Sequence, residues 1–263
     1  MRSRRGAPVL LYVVAVATVA FLIVPVIISV LGSFAGAWHR SLVGDFTLEW
    51  YKYVFDNYSR TIGISLLIGF LCMGIGILIG VPAAYAFAKY DFPGKTLFEQ
   101  IVALPMAIPG IALAVAIIQT HSHIRGNWYF VLLGHLVVTL PYMVDTVTAT
   151  LRGLNMQVYE ESAASLGASW WQRFIHVVVP NIRQAIISGA LMIFTISLGE
   201  FNMTLFLYTP MYMTLPIGLY ESYASLRLEI GSAYTSIFLV LIIPVLLAIQ
   251  YLGAADESEL KNI

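Results

Sequence analysis

The sequence predicts an all-α polytopic membrane protein with six transmembrane helices and a cytoplasmic loop between the fourth and fifth. Three observations carry this. First, 59% of the 263 residues are hydrophobic and only 11% are charged, whereas a soluble domain carries about a quarter charged residues. Too few polar side chains remain to coat a water-soluble globule of this size, so lipid is the expected solvent. Second, the apolar residues gather into six runs, each long enough at a helical rise to cross the hydrocarbon core. Third, residues 160–180 ("EESAASLGASWWQRFIHVVVP") break this pattern with amphipathic, cytosol-like sequence. The formal net charge is zero, which excludes the basic footprint of a nucleic-acid binder. The single cysteine, Cys72, lies in an apolar run. It cannot form an internal disulfide and is read as a small core residue.

The first run, 9–31, follows Arg2, Arg4 and Arg5. It resembles a secretory signal with a cleavage site at Ala35-Gly36-Ala37. Its length exceeds the about 7–15 residues of a signal core and matches a span, so a retained helix is expected. Residues 32–60 contain Trp50, Tyr51, Tyr53 and Phe55 and read as a short helix at the membrane surface. The second span, 61–88, carries Gly76 and Gly80 at the spacing that lets helices approach closely. The third, 98–120, contains Pro105 and Pro109; the fourth, 128–150, contains Pro141. The fifth is 184–208. A second aromatic surface segment, 209–231, precedes the sixth span, 232–252, which contains Pro244. Prolines are tolerated in membrane helices and mark kinks. The whole chain, 1–263, reads as a single transmembrane domain.

Lysine and arginine set the orientation. With the N-terminus inside, nine fall on inside segments (Arg2, Arg4, Arg5, Lys89, Lys95, Arg152, Arg173, Arg183, Lys261) and five outside (Arg40, Lys52, Arg60, Arg125, Arg227). Both termini are therefore expected in the cytoplasm, together with the loop 152–182. Within that loop, Asn155 is placed to cap a helix over about 156–166. Gly167 stands where a left-handed residue stops it. Ser169 and Gln172 form a capping box that opens a second helix, and Pro180 hinders its continuation into the fifth span. Tyr159, Ala163 and Leu166 share one face of the first helix. Such a hairpin either docks into a cytosolic partner and moves spans four and five, or lies on the surface without one.

Ionisable residues inside spans are functional candidates by default. Asp145 lies in the fourth span, where His135, Thr139, Tyr142 and Thr146 form a polar stripe; Glu200 lies in the fifth, with Ser197 and Thr204 on its face and Asn202 nearby. Asp145, Tyr142, Thr146, Glu200, Asn202 and Thr204 are the candidates for a translocation path. The alternative for both acids is structural hydrogen bonding, and His135 reads as a satisfied interhelical residue. "PGKT" (93–96) lacks the glycine five residues before Gly94 that a phosphate-binding loop needs, and reads as a tight turn. No H-E-x-x-H or G-x-S-x-G motif supports an intramembrane enzyme. An ATP-independent secondary transporter would not need a docking loop.

The loop resembles the EAA loop of binding-protein-dependent ABC importer permeases: Glu-Ala-Ala, three residues, Gly, nine residues, Ile-x-Leu-Pro. Here it reads Glu161-Ser162-Ala163, Gly167 and Val177-Val178-Val179-Pro180, with Ser162, Val177 and Val179 as small or apolar departures. Residues 84–118 and 197–222 are similar to the second-to-third span junction and the fifth-span region of the polyamine-type branch. The resemblance implies a transport subunit of the inner membrane, without catalytic or metal site, in which Glu161, Ser162, Ala163, Leu166, Gly167 and Pro180 couple to an ATPase. ATP and magnesium would sit on partner subunits, with no cofactor in this chain. The implied partners are a homologous second permease subunit (a heterodimer rather than a homodimer), two ATP-binding subunits and an extracytoplasmic solute-binding protein. A small amine or polyamine leads as the solute. Aminophosphonate, thiamine, ferric iron and oxyanions are the alternatives within the family.

Overall fold

The structure is a computed structural model that describes residues 6–38, 46–154 and 156–260. Arg2, Arg4, Arg5, Arg40, Asn155 and Lys261, used above for orientation and capping, lie outside the described residues. Among those described, the regular structure is helical apart from one isolated antiparallel bridge between Ala35 and Phe46. The all-α prediction holds. By length and composition, four described helical stretches can cross a membrane: Val9–Gly32, Glu49–Lys89, Trp128–Gly153 and Leu228–Tyr251. Two bent pairs also pass, Lys95–Ala107 with Gly110–Thr120 and Trp170–Asn181 with Arg183–Gly199, which would bring the number to six if each pair is one span.

Helix α1 (Gly6–Gly32) is apolar on all sides, as a helix surrounded by lipid is. Helix α2 (Glu49–Ile75) is two helices that meet at a kink: the aromatic segment forms a short helix from Glu49, Tyr58 is non-helical (φ −133°, ψ 17°), and the second apolar run follows. A π-helical turn, Gly76–Gly80, joins α2 to α3 (Val81–Lys89). After a turn at Gly94 come α4 (Lys95–Ala107) and α5 (Gly110–Thr120). The third span is thus broken by 110° rather than kinked. Pro109 forces Ile108 out of the helical region (ψ 131°), and Pro109 itself is extended (ψ 134°). Helix α6 (Trp128–Gly153) continues through Pro141.

Next come α7 (Met156–Ser165), α8 (Trp170–Arg173), a second π-helical turn (Phe174–Val178) and α9 (Val179–Asn181). Helix α10 (Arg183–Gly199) ends short of the expected 208. Glu200 is extended, and a separate short helix α11 (Thr204–Leu207) follows. Helices α12 (Leu215–Ala224) and α13 (Leu228–Leu260) complete the chain. Pro180 does not stop the loop's second helix, which runs to Asn181. The break comes at Ile182, followed by α10 at 73°. The widened π turn just before Pro180 accommodates a residue without an N–H.

The chain divides into two packed units. In the first, residues 1–59 with 218–240, small hydroxyls join helices: Ser33 lies 2.6 Å from the Tyr51 hydroxyl and 3.1 Å from Ser236. Trp50 Nε1 donates to the Ala35 carbonyl at 2.8 Å. The Arg227 guanidinium sits 5.0 Å from the Tyr53 ring centroid. In the second, residues 60–217 with 241–263, α3, α6 and α10 surround a core that includes Cys72, Phe130, Met143 and Ile193. The two glycines at small-residue spacing are needed there. A Cβ on Gly76 would lie 2.4 Å from Ile193 Cδ1, and one on Gly80 2.7 Å from Met143 Cγ.

Candidate functional site

The loop between α6 and α10 is a helical hairpin in the second unit. Its first arm, α7, ends in two hydrogen bonds that close a Schellman motif: Ala168 N–H donates to the Ala163 carbonyl (3.1 Å) and Gly167 N–H to that of Ala164 (2.9 Å). Gly167 has the required left-handed conformation (φ +84°), and no atom lies within 4 Å of where its Cβ would stand. Ser169 then caps α8. Its Oγ accepts from Gln172 N–H at 3.4 Å, and its own N–H donates to Gln172 Oε1 at 2.8 Å. The stop and the restart are both as expected from residues 167–172.

Along α7 only Met156 and Glu160 are buried. The residues of the EAA pattern face out. Glu161 is exposed and accepts from Gln157 Nε2 at 2.7 Å, one turn back. Ser162 is exposed, with its hydroxyl donating to the Val158 carbonyl, and Ala163 is half-buried. Leu166 is 87% exposed and Trp171 62%; with Val158 and Tyr159, also exposed, they give the hairpin an apolar outer surface. Pro180 is exposed at the far end of the hairpin. A cavity of about 550 Å³ opens behind α7, lined in part by Lys89, Tyr90, Arg152 and Arg173.

Glu160 escaped sequence reasoning. It accepts a hydrogen bond from the Tyr85 hydroxyl (2.8 Å) and is ion-paired with Lys89 at the end of α3. The only local signal was Tyr85 and Lys89, four apart on one helical face. Nearby, Arg152 Nη2 donates to Glu99 Oε1 at 2.7 Å and ties the end of α6 to α4. Gly94 is left-handed (φ +83°) and opens α4, while Lys95 pairs with Asp91 at 3.0 Å. "PGKT" is thus a turn.

The intramembrane candidates divide. Ser197, Glu200 and Thr204 do not share one continuous helix, because α10 stops before Glu200. They are nevertheless brought together around α6. His135 is buried, with Nδ1 2.8 Å from Ser197 Oγ and Nε2 2.8 Å from Thr204 Oγ1, a satisfied interhelical residue. Thr204 Oγ1 donates its proton to Glu200 Oε2, so His135 Nε2 is the donor to Thr204. The Glu200 carboxylate also accepts from the backbone N–H groups of Met203 (2.9 Å) and Thr204 (2.8 Å). It satisfies donors at the break that would otherwise be orphaned. Gly110, at the break in the third span, approaches the same place: its Cβ would stand 3.4 Å from Asn202 Cβ and 3.7 Å from Glu200 Oε1. Asn202 is exposed and Glu200 half-buried. On α6, Asp145 is exposed while Tyr142 and Thr146 are half-buried, so the stripe that starts at His135 in the core emerges at the surface.

Residues 76–255 match the family described as "Binding-protein-dependent transport system inner membrane component". The chain belongs to this family. It is an ABC importer permease subunit of the inner membrane, as the EAA-like loop implied, and the enzyme and secondary-transporter alternatives are not favoured. This permease is 26% identical over 253 residues to the Salmonella typhimurium (strain LT2) protein named "Putative 2-aminoethylphosphonate transport system permease protein PhnV", covering 94% of this chain and 95% of the relative. It is 27% identical over 249 residues to the spermidine/putrescine transport system permease protein PotC of Escherichia coli (strain K12), covering 91% and 92%. Among solved structures, a bacterial ABC transporter involved in the import of the acidic polysaccharide alginate shares the fold, with a TM-score of 0.75 over 95% of this chain and 98% of that one at 16% identity.

Proposed function

We propose that this permease forms half of the translocation path of an ATP-driven importer and that α7 is its coupling helix, seated on a cytosolic ATP-hydrolysing subunit. The observation that carries the reading is the outward display of Glu161, Leu166 and Trp171 around a glycine-hinged hairpin. An exposed apolar surface of this kind marks a contact with a protein partner or a membrane, and the match of the hairpin to the EAA pattern favours the protein. The partners would be a second, homologous permease, two ATP-binding subunits and an extracytoplasmic binding protein, with ATP and magnesium held on the ATP-binding subunits. Nucleotide biases the equilibrium between inward-facing and outward-facing states by favouring one of them; this chain's residues receive the push and move the bundle. Both termini would face the cytoplasm. Reconstitution with the ATPase subunits and the binding protein tests the reading. Gly167→Pro or Glu161→Lys should hydrolyse ATP without importing solute, and normal import by both would overturn it.

For the solute we propose a small amine or polyamine. Relatives aligned over nearly their full length are named for 2-aminoethylphosphonate and for spermidine/putrescine, compounds that share a protonated amine, whereas a relative aligned over 55% of this chain is named for sulfate. The Glu200 side chain, beside the exposed Asn202, would offset part of the cost of bringing a cation between helices. Exposed Asp145 would serve the same path at its cytoplasmic end, with Tyr142 and Thr146. A calorimetric screen of the cognate binding protein with putrescine, spermidine, 2-aminoethylphosphonate and sulfate discriminates. Binding of sulfate alone would remove the amine assignment.

A further inference from the structure

We infer that Glu160, held by Lys89 and Tyr85, is the residue that positions the coupling hairpin, and that it links the hairpin to the second span. The inference rests on reading α7 as the coupling helix. Among the described residues, Glu160 is the one buried carboxylate, 4% exposed, while the neighbouring Glu161 faces out. With Met156 one turn earlier it forms the inner face of α7. Its carboxylate accepts from the Tyr85 hydroxyl at 2.8 Å and pairs with the Lys89 ammonium, which also donates to that hydroxyl. The ammonium lies 4.9 Å from the Tyr85 ring centroid and 5.5 Å from that of Tyr90. The Tyr85 ring also reaches the hairpin's other arm, edge-on to Phe174 at 5.1 Å and to Trp170 at 6.3 Å. One pair of α3 residues thus grips the hairpin on both sides of Gly167.

A buried carboxylate stripped of its cation is left uncompensated. Displacing α7 therefore either opens this pair at high cost or carries α3 along. The second course sends the motion into the second span, whose π turn at Gly76–Gly80 lies one short helix away, as well as into α6 and α10. Glu160 acts as a positioning residue: it orients the surface that Glu161 and Leu166 present.

The test uses the complete transporter in proteoliposomes, on complexes that copurify with the ATPase subunit, and reads ATP hydrolysed per solute imported. Glu160→Gln and Lys89→Met should each raise that ratio at least about tenfold, since an unpaired or lost buried charge frees the hairpin from α3. The exchange Lys89→Glu with Glu160→Lys should recover most of the coupling, which loss of fold would not permit. Wild-type coupling in Glu160→Gln, or an exchange variant no better than the single ones, overturns the inference. Should the single variants fail to assemble, Lys89→Cys with Glu160→Cys joined by a short bifunctional thiol reagent decides. Import retained in the joined state means that α3 and α7 travel together, and import abolished by the bridge refutes it. Normal import by Gly167→Pro and Glu161→Lys complexes would instead refute the reading of α7 as the coupling helix.

Discussion

At the scale of single residues, Gly167 and His135 carry opposite kinds of constraint. Gly167 is exposed, and its role is conformational: an L-residue with a positive φ costs about 1–2 kcal/mol. Gly167→Ala should therefore leave assembly intact and weaken coupling, with Gly167→Asn milder, read as the ATP-to-solute ratio in proteoliposomes. His135 is buried between two hydroxyls. His135→Ala leaves Ser197 and Thr204 without that partner, at about 1–3 kcal/mol for each polar group left unsatisfied, and should lower the melting temperature of the purified permease by several degrees. The Gly167 stop and the Ser169–Gln172 restart were legible in the sequence because their chemistry is local, complete within six residues. The link from Glu160 to Lys89 spans 71 positions in the chain, and no helical or turn periodicity reports such a pairing. For the same reason the sequence drew attention to Glu161, the residue of the family pattern, and passed over its buried neighbour.

At the scale of elements, the breaks matter as much as the helices. Proline announced the interruption at Ile108–Pro109, although its severity, a full change of direction, depends on two successive extended residues and not on the proline alone. The stop after Gly199 had a weaker local mark, a glycine followed by polar residues inside an apolar run. Hydropathy averages over such a mark, which is why a continuous span to residue 208 was expected. Glu200 holds this break by accepting from the N–H groups of Met203 and Thr204. Glu200→Ala should raise amide exchange at those two positions. Glu200→Gln keeps a neutral acceptor there and, if the solute is cationic, should reduce uptake while sparing assembly. Unaltered uptake would separate the capping role from any role toward solute. The π turn at Gly76–Gly80 was not legible: its glycines signalled close packing, which is found, but not the extra residue in the turn. Gly76→Leu should destabilise by about 1–3 kcal/mol through overpacking against Ile193, measurable as reduced thermal stability in detergent.

At the scale of the molecule, the proposed orientation rests on the distribution of Lys and Arg, and the exposed hairpin makes it testable. Leu166→Cys should react with a membrane-impermeant maleimide in inside-out vesicles and not in right-side-out ones, with Cys72 protected by burial. Labelling from the outer side only would reverse the assigned topology. Composition and hydropathy sufficed for the class of the protein because the solvent acts on every residue at once. They did not locate the kink at Tyr58 between the aromatic helix and the second apolar run, since no proline or glycine marks it.

The emptiness around position 167 carries one more consequence. Handedness, and not crowding around an L-residue's Cβ, demands glycine there, so a mirror-image amino acid introduced by semisynthesis, for which positive φ is the ordinary range, should relieve the backbone cost. D-alanine would then pass where its natural enantiomer falters, a stereochemical signature that no loss of packing can imitate.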